Sequence, residues 1–147
     1  MHHKTCLITG ATSGIGRATA IELGRLGWDL WLVGRDSRRG EAVVRTVKRL
    51  GKGGRTSFIQ TDLSSLEAVR ALVTQVRRET ARIDVLINNA GARYLAPGRS
   101  RDGIERTFAT NHLGPFLLTL LLVDLLARSE AGRVVNVASS AHHAAPA

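Results

Sequence analysis

The sequence predicts an α/β fold in which helices cover both faces of a parallel β-sheet, and three observations support this. Short apolar segments alternate with longer amphipathic ones, as in repeated strand–helix units. The apolar segments are continuous runs, which is typical of strands buried on both faces. A glycine-rich turn at residues 10–16 joins the first strand to the first helix. We therefore expect one doubly wound domain over residues 1–147, with right-handed crossovers.

Five strands are predicted from short runs rich in leucine and β-branched residues. A doubly wound sheet would place them in the order 3-2-1-4-5. A full sheet of this type has about six strands or more, so we expect C-terminal strands and helices to be missing from these residues. The predicted strands are Thr5–Thr9, Asp29–Val33, Thr56–Gln60, Val85–Asn88 and Arg133–Ala138.

Apolar residues at helical spacing predict helices between these strands. Gly51 would end the helix that follows the second strand. Ser64 and Glu67 have the spacing of a capping box, which would begin the helix after the third strand. The apolar stripes of these two helices are Val43, Val47, Leu50 and Leu66, Val69, Val73, Val76.

A longer helix is predicted over residues 102–127. Pro115 lies within it and should remove a backbone hydrogen bond and bend the helix. The most apolar part, residues 116–127, is shorter than the ~20 residues that span a bilayer. We therefore expect a buried or interface helix and no membrane span.

Composition excludes some functions and favours others. The net charge is +9, carried mostly by arginine, but the arginines are scattered and no aromatic series accompanies them. We therefore expect no nucleic-acid partner. The single cysteine, Cys6, excludes an internal disulfide, and its place in an apolar strand indicates a core residue. No secretory signal precedes the first strand, so we expect a cytoplasmic protein.

The turn after the first strand predicts a phosphate-binding loop. Gly10, Gly14 and Gly16 would let the backbone turn tightly and approach a pyrophosphate, which a Cβ would obstruct. The helix that follows presents backbone N–H groups and its positive dipole end to the phosphates. The turn therefore predicts that the chain binds a dinucleotide.

The end of the second strand predicts which dinucleotide binds. An acidic residue about 20 positions beyond the glycines would bind a ribose 2′-hydroxyl, whereas an arginine suits a 2′-phosphate. Gly34 carries no carboxylate at that place, and Arg35 follows it. We therefore expect NADP rather than NAD. The alternative is that Arg35 is a solvated loop residue and that Asp36 caps the next helix.

Four motifs, in this order, resemble those of the short-chain dehydrogenases/reductases of the classical type. The resemblance covers essentially the whole chain. It implies a Rossmann-type fold and an enzyme that transfers hydride between a nicotinamide and a carbonyl or alcohol substrate. Residues 34–36, 84–91 and 133–142 are also similar to the retinol-dehydrogenase-like branch. The four motifs are TGATSGIG at Thr9–Gly16, NNAG at Asn88–Gly91, NHLG at Asn111–Gly114 and VNVAS at Val135–Ser139.

The resemblance implies a set of cofactor contacts. Asp62 and Leu63 would hold the adenine ring, although Asp62 could instead be a turn residue. Asn88 and Asn89 could merely close the fourth strand through side-chain-to-backbone bonds. The full implied set is Gly10, Thr12, Ser13, Gly14, Ile15, Gly16, Arg35, Asp62, Leu63, Asn89, Ala90 and Gly91.

Two catalytic positions are implied as well. Asn111 matches an asparagine that holds a helix distortion near the reaction centre, unless it is simply an exposed helix residue. Ser139 matches the serine that hydrogen-bonds the reacting oxygen, and its neighbour Ser140 is the weaker candidate. His142 and His143 are given no chemistry, and no metal site is expected.

The family's catalytic tyrosine, and the lysine four residues after it, are not found in these 147 residues. The one tyrosine, Tyr94, precedes Asn111 and is followed four positions later by Gly98, and the last lysine is Lys52. A positioned proton donor contributes roughly 10²–10⁴-fold in rate. We therefore expect a C-terminally truncated reductase that binds NADP weakly or not at all and has negligible activity.

Two alternatives stay open at this stage. The first is a catalytically silent fragment that still binds a dinucleotide. The second is an interaction module that forms a homo-oligomer through the helix 102–127, mainly its leucine-rich half 116–127. Polar substitutions at Leu118 or Leu122 would then reduce the association.

Overall fold

The computed structural model describes residues 3–139 and shows a five-stranded parallel sheet with helices on both faces. The strand order is β3-β2-β1-β4-β5, which confirms the predicted fold class. The last strand ends two residues earlier than predicted, although Val137 N still donates to Asn88 O at 2.9 Å. The strands are β1 (Thr5–Thr9), β2 (Asp29–Gly34), β3 (Thr56–Gln60), β4 (Val85–Asn88) and β5 (Arg133–Asn136).

The helices connect consecutive strands, and the last of them contains an irregular turn. The longest stretch begins as a short α-helix, continues as one π-helical segment and returns to α-helix before β5. The helices are α1 (Gly14–Arg25), α2 (Ser37–Leu50), α3 (Leu66–Glu79), α4 (Arg106–Phe108), the π segment (Ala109–Leu113) and α5 (Gly114–Ala127).

Alternate residues of β1 enter two separate hydrophobic cores. Leu7 packs into the core on the α3 and α5 side of the sheet, and Ile8 packs into the core on the α1 and α2 side. Cys6 lies in this second core with no exposed surface, as predicted. Burial, together with the nearby Asp84 carboxylate, raises the pKa of its thiol to about 12, so Cys6 stays protonated and unreactive at neutral pH.

Helix α3 begins one residue later than the predicted capping box. Its N-cap is Ser65, whose hydroxyl accepts from Ala68 N at 3.2 Å. The prediction of Ser64 was wrong because the Ser64 hydroxyl donates to Asp62 Oδ1 at 2.9 Å instead. The two adjacent serines therefore have different roles. Ser64 stabilises the turn at Asp62, and Ser65 caps the helix.

The long helix begins at Arg106, not at residue 102 as predicted. Gly103 has a φ of +75°, which no helix can continue through. Glu105 is the N-cap, and its carboxylate accepts from two backbone N–H groups of the first turn at 2.7 and 2.8 Å. Asp102 serves a different helix, because its Oδ2 accepts from Leu66 N at 2.9 Å, at the start of α3.

The irregular part of this helix is the π segment, which lies before Pro115, and a bend at Pro115 stays a prediction. Gly114 begins α5 directly after this segment, and Pro115 is the second residue of α5, in the first turn, where a proline without an N–H group is well tolerated. A Cβ on Gly114 would collide with the carbonyl oxygen of Leu63. The small residue therefore lets the helix pack directly against the loop that follows β3.

Residues 106–127 form 22 consecutive helical residues that include an 18-residue window with a mean hydropathy of 1.4, so length and composition alone would allow a membrane span. This helical stretch is longer than the predicted apolar run. Leu118 and Leu122 are fully buried against the sheet and α3, which is typical of a core helix. The exposed apolar side chains of α5 are instead Phe116, Leu120 and Val123. The absence of a membrane span stays a prediction.

Candidate functional site

A cavity of about 1200 Å³ opens at the carboxyl ends of the strands. Ligands of doubly wound sheets bind at this edge. The volume exceeds the roughly 300–1,000 Å³ of most small-molecule sites, which suits an extended ligand. Gly16 and Asp62 lie outside the lining. The predicted residues that do line the cavity are Gly10, Thr12, Ser13, Gly14, Ile15, Arg35, Leu63, Asn89, Ala90, Gly91, Asn111 and Ser139.

The glycine turn needs its glycines for two different reasons. Gly10 and Gly14 have φ values of +66° and +51°, a region that favours glycine. A Cβ on Gly10 would also lie 2.8 Å from Ala90 Cα, so the turn packs tightly on the segment after β4. Gly16 faces inward, because a Cβ there would collide with the carbonyl oxygen of Gly10. The absence of a side chain at Gly16 therefore lets helix α1 pack closely against Gly10 of the turn.

Helix α1 points its N-terminus at the cavity. Its N-cap, Ser13, makes no side-chain capping bond, and among the described residues the first turn of α1 carries no acidic side chain. Both Ser13 and Ile15 line the cavity. The positive end of the helix dipole is thus left uncompensated by acidic side chains of its own first turn, which favours an anionic ligand.

Asn89 cross-links β4 to the glycine turn. Its Nδ2 donates to Thr9 O at 3.0 Å and to Gly10 O at 3.2 Å. Thr9 Oγ1 in turn accepts from the backbone N atoms of Asn89 and Ala90, both at 3.0 Å. These are the side-chain-to-backbone bonds offered above as the structural alternative. Thr9 was missed from the sequence, where only its place directly before Gly10 could have pointed to it.

Asn88 is buried and faces away from the cavity. Its Nδ2 donates to Thr119 Oγ1 at 3.0 Å and to Asn136 Oδ1 at 2.9 Å. The side chain therefore joins β4 to α5 and β5. Its role is to hold the strand whose next residues line the site.

The end of β2 and the first turn of α2 place Arg35, Asp36 and Arg39 on the cavity lining. A Cβ on Gly34 would lie 2.7 Å from Thr12 Cγ2, so an acidic side chain there would require Thr12 to move. Asp36 caps α2 by accepting from Arg39 N at 2.9 Å, as the capping interpretation predicted. Arg39 lines the cavity beside Arg35 and pairs with Asp36 at 3.3 Å. Sequence reasoning missed Arg39, although its place in the first turn of α2 was a usable signal.

Tyr94 joins Arg35 to the loop that follows β4. Arg35 Nη1 donates to Tyr94 Oη at 2.9 Å. The guanidinium of Arg106 lies over the Tyr94 ring, 3.8 Å from its centroid. Arg35 is therefore held by a specific partner, and it does not extend freely into solvent.

Asp62 forms a turn, and its neighbour Leu63 lines the cavity. Asp62 Oδ1 accepts from Ser64 N at 3.0 Å and from Ser64 Oγ at 2.9 Å. That geometry is the turn given above as the alternative role of Asp62. Thr61, which was not predicted, lines the cavity next to Leu63. A role for Asp62 at an adenine ring stays a prediction.

Asn111 lies in the π segment and binds the loop after β4. Its Oδ1 accepts from Ala92 N at 2.8 Å, and its Nδ2 donates to Ala92 O at 2.9 Å. The Asn111 side chain is therefore exposed, but both its amide oxygen and its amide nitrogen are hydrogen-bonded to the backbone of Ala92. Ser139 lies three residues after the end of β5 and lines the same cavity. Ser140, His142 and His143 lie outside the described residues.

Comparison with known proteins agrees with this architecture. A family model described as short chain dehydrogenase matches residues 4–147. Retinol dehydrogenase 14 of Mus musculus is 44% identical, and the match covers 95% of this chain and 45% of that protein. The chain thus spans less than half the length of this relative. The resemblance to the retinol-dehydrogenase-like branch is confirmed.

Two solved structures share the fold at substantial identity. A short-chain dehydrogenase from Sphingobium yanoikuyae in complex with NADPH is 34% identical with a TM-score of 0.81, over 96% of this chain and 56% of the other. An NAD⁺-bound xylitol dehydrogenase is 32% identical with a TM-score of 0.81, over 97% and 55%. Given the glycine turn, the strand order and a family match over nearly its full length, this chain belongs to the short-chain dehydrogenase family.

Proposed function

We propose that the protein containing these residues is an NADP(H)-dependent oxidoreductase acting on a carbonyl or alcohol substrate. Membership of the family supports the reaction class, and the cavity at the carboxyl edge of the sheet supports dinucleotide binding. Gly10 and Gly14 leave room for a pyrophosphate beside the N-terminus of α1. The bound cofactor would supply or accept the hydride.

The observation that carries the choice of NADP(H) is the position of Arg35 on the cavity lining, directly after Gly34. A guanidinium can bind a phosphate through two parallel hydrogen bonds. Arg39 lies on the same lining, where its charge is paired with Asp36, which also lines the cavity, so Arg35 is the cation on which the assignment depends. Gly34 carries no carboxylate that could bind the ribose 2′-hydroxyl, and a larger side chain there would require Thr12 to move.

The relatives support this choice without deciding it. The Sphingobium yanoikuyae enzyme was solved with NADPH, whereas the xylitol dehydrogenase of similar likeness was solved with NAD⁺. The two cofactors differ only at the ribose 2′ position. The groups at the end of β2 are therefore the ones that support the assignment.

Ser139 and Asn111 are the residues proposed for the substrate end of the site. Both line the cavity, on the segments that follow β5 and α4. The Ser139 hydroxyl would hydrogen-bond the reacting oxygen, and Asn111 would fix the loop at Ala92. Tyr94 is not proposed as the proton donor, because it lies outside the cavity lining.

The test compares the dissociation constants of NADPH and NADH by titration calorimetry, in the wild type, Arg35→Ala and Arg38→Ala. Wild type should bind NADPH more tightly than NADH. Loss of charge-assisted hydrogen bonds in Arg35→Ala should weaken NADPH binding about tenfold or more and leave NADH binding unchanged. Arg38 is exposed and outside the cavity lining, so Arg38→Ala is the matched control for net charge. An Arg35→Ala protein that kept the full NADPH preference would contradict the assignment.

A further inference from the structure

The contact between Arg35 and Tyr94 connects two segments that are far apart in sequence. Arg35 follows β2, Tyr94 lies in the loop after β4, and the two side chains meet at 2.9 Å. Arg35 is exposed and Tyr94 is half-buried. An exposed arginine that makes a defined bond has lost much of the rotamer freedom of its long side chain.

Tyr94 is itself held on its other side. The Arg106 guanidinium carbon lies 3.8 Å from the ring centroid, close enough for a cation–π contact. Arg106 is anchored by its backbone N, which donates to Gly98 O at 2.9 Å. Within the described residues, the buried Nε of Arg106 has no hydrogen-bond partner. The aromatic face is therefore the contact that holds this cation.

The bond to Tyr94 leaves Arg35 able to bind an anion. A guanidinium has five N–H donors, and the bond to the phenol uses one of them. Because the phenol oxygen accepts from Arg35, its own proton points elsewhere and does not repel the arginine. Arg35 also lines the cavity, whereas Tyr94 and Arg106 do not. Tyr94 therefore affects the cavity only by holding the Arg35 side chain.

We infer that Tyr94 is a positioning residue for cofactor choice, which orients Arg35 toward the 2′-phosphate of NADP(H) from a loop outside the phosphate-binding turn. This inference rests on the proposed function, because it assumes that Arg35 meets the 2′-phosphate. Holding Arg35 in place before the ligand arrives lowers the entropy lost on binding. The effect is specific to ligands that carry the 2′-phosphate.

The experiment uses two small probes that differ only in that group, adenosine 2′,5′-bisphosphate and adenosine 5′-monophosphate. Their dissociation constants are measured by calorimetry for the wild type, Tyr94→Phe, Arg35→Ala and the double variant. Tyr94→Phe keeps the ring under Arg106 and removes only the hydroxyl. It should weaken bisphosphate binding about two- to tenfold and leave monophosphate binding unchanged. In the Arg35→Ala background it should have no further effect.

The outcomes separate this inference from the proposed function. Equal weakening of both probes by Tyr94→Phe would show a purely structural role and overturn the inference. The same conclusion would follow if Tyr94→Phe weakened bisphosphate binding equally with and without Arg35, or left it unchanged while Arg35→Ala weakened it. If Arg35→Ala itself left bisphosphate binding unchanged, the assignment of NADP(H) to Arg35 would fail as well.

Discussion

At the scale of single residues, close backbone approaches decide what the site can hold. Gly10 leaves room for Ala90, and Gly34 leaves room for Thr12. The absent side chains let the glycine turn pack against the segment after β4 and let the end of β2 pack against Thr12 of the glycine turn. At the end of β2, Arg35 therefore follows a glycine that carries no carboxylate and whose replacement by an acidic residue would require Thr12 to move.

Gly10 and Gly14 offer a matched pair for testing this. Gly14 has a positive φ, but among the described atoms none lies within 4 Å of an added Cβ. Gly14→Ala should therefore cost only the backbone strain, about 1–2 kcal/mol of unfolding free energy. Gly10→Ala adds a collision with Ala90 and should cost clearly more. Urea unfolding measures both, and an equal loss in the two variants would contradict the close approach of Gly10 to Ala90.

Residue identities in the site were largely predictable because the glycine turn and the asparagines stand in recognisable motifs. Their partners were not. Tyr94 and Arg106 contact Arg35 and each other only after the chain returns from β4, so no local spacing indicates them. Asp62 shows the reverse case, since its carboxylate is used by the adjacent Ser64.

At the scale of elements, the strands were predicted better than the helix ends. A parallel strand that is buried on both faces is a continuous apolar run, and hydrophobicity indicated the limits of the fully buried β1 correctly. The exposed β5 ended two residues earlier than predicted. Helix starts depend on which of several polar residues supplies the cap. Ser64 and Ser65 are equivalent in sequence, and Asp102 caps α3 across a separation of 36 residues. The π segment likewise arises where Gly114 packs on Leu63.

The apolar face of α5 can be tested for self-association. Leu118 and Leu122 were the wrong positions to substitute, because both are buried in the core. Leu120 is 54% exposed, so Leu120→Gln should change the unfolding free energy by no more than about 0.5 kcal/mol. It should reduce concentration-dependent association in sedimentation experiments. Leu122→Gln should instead destabilise the fold by several kcal/mol, roughly 2–5.

A wild-type protein that sediments as a monomer at all concentrations would contradict the association prediction. So would a Leu120→Gln protein that associates as strongly as wild type. The unfolding free energies of Leu120→Gln and Leu122→Gln show whether a loss of association comes from a lost surface contact or from a destabilised core.

At the scale of the whole molecule, one sheet brings distant segments to a common edge. The ends of all five strands contribute lining residues, which are Gly10, Gly34, Thr61, Asn89 and Val137. This follows from the parallel order β3-β2-β1-β4-β5, which the alternation of strands and helices predicted. The two hydrophobic cores hold the sheet on either face, and the cavity with its arginine lining stays open at the carboxyl edge.

The most direct test of the central claim is to map NADPH binding by NMR, using backbone amide shifts of the isotopically labelled protein at millimolar cofactor, where weak binding is still detected. We expect the largest shifts at Gly10–Ile15, Arg35 and Asn89–Gly91. NADH should shift the glycine turn and leave Arg35 nearly unchanged. Amides around this cavity that did not respond to NADPH, or that responded less than those on the opposite edge of the sheet, would contradict the claim that this is a dinucleotide site.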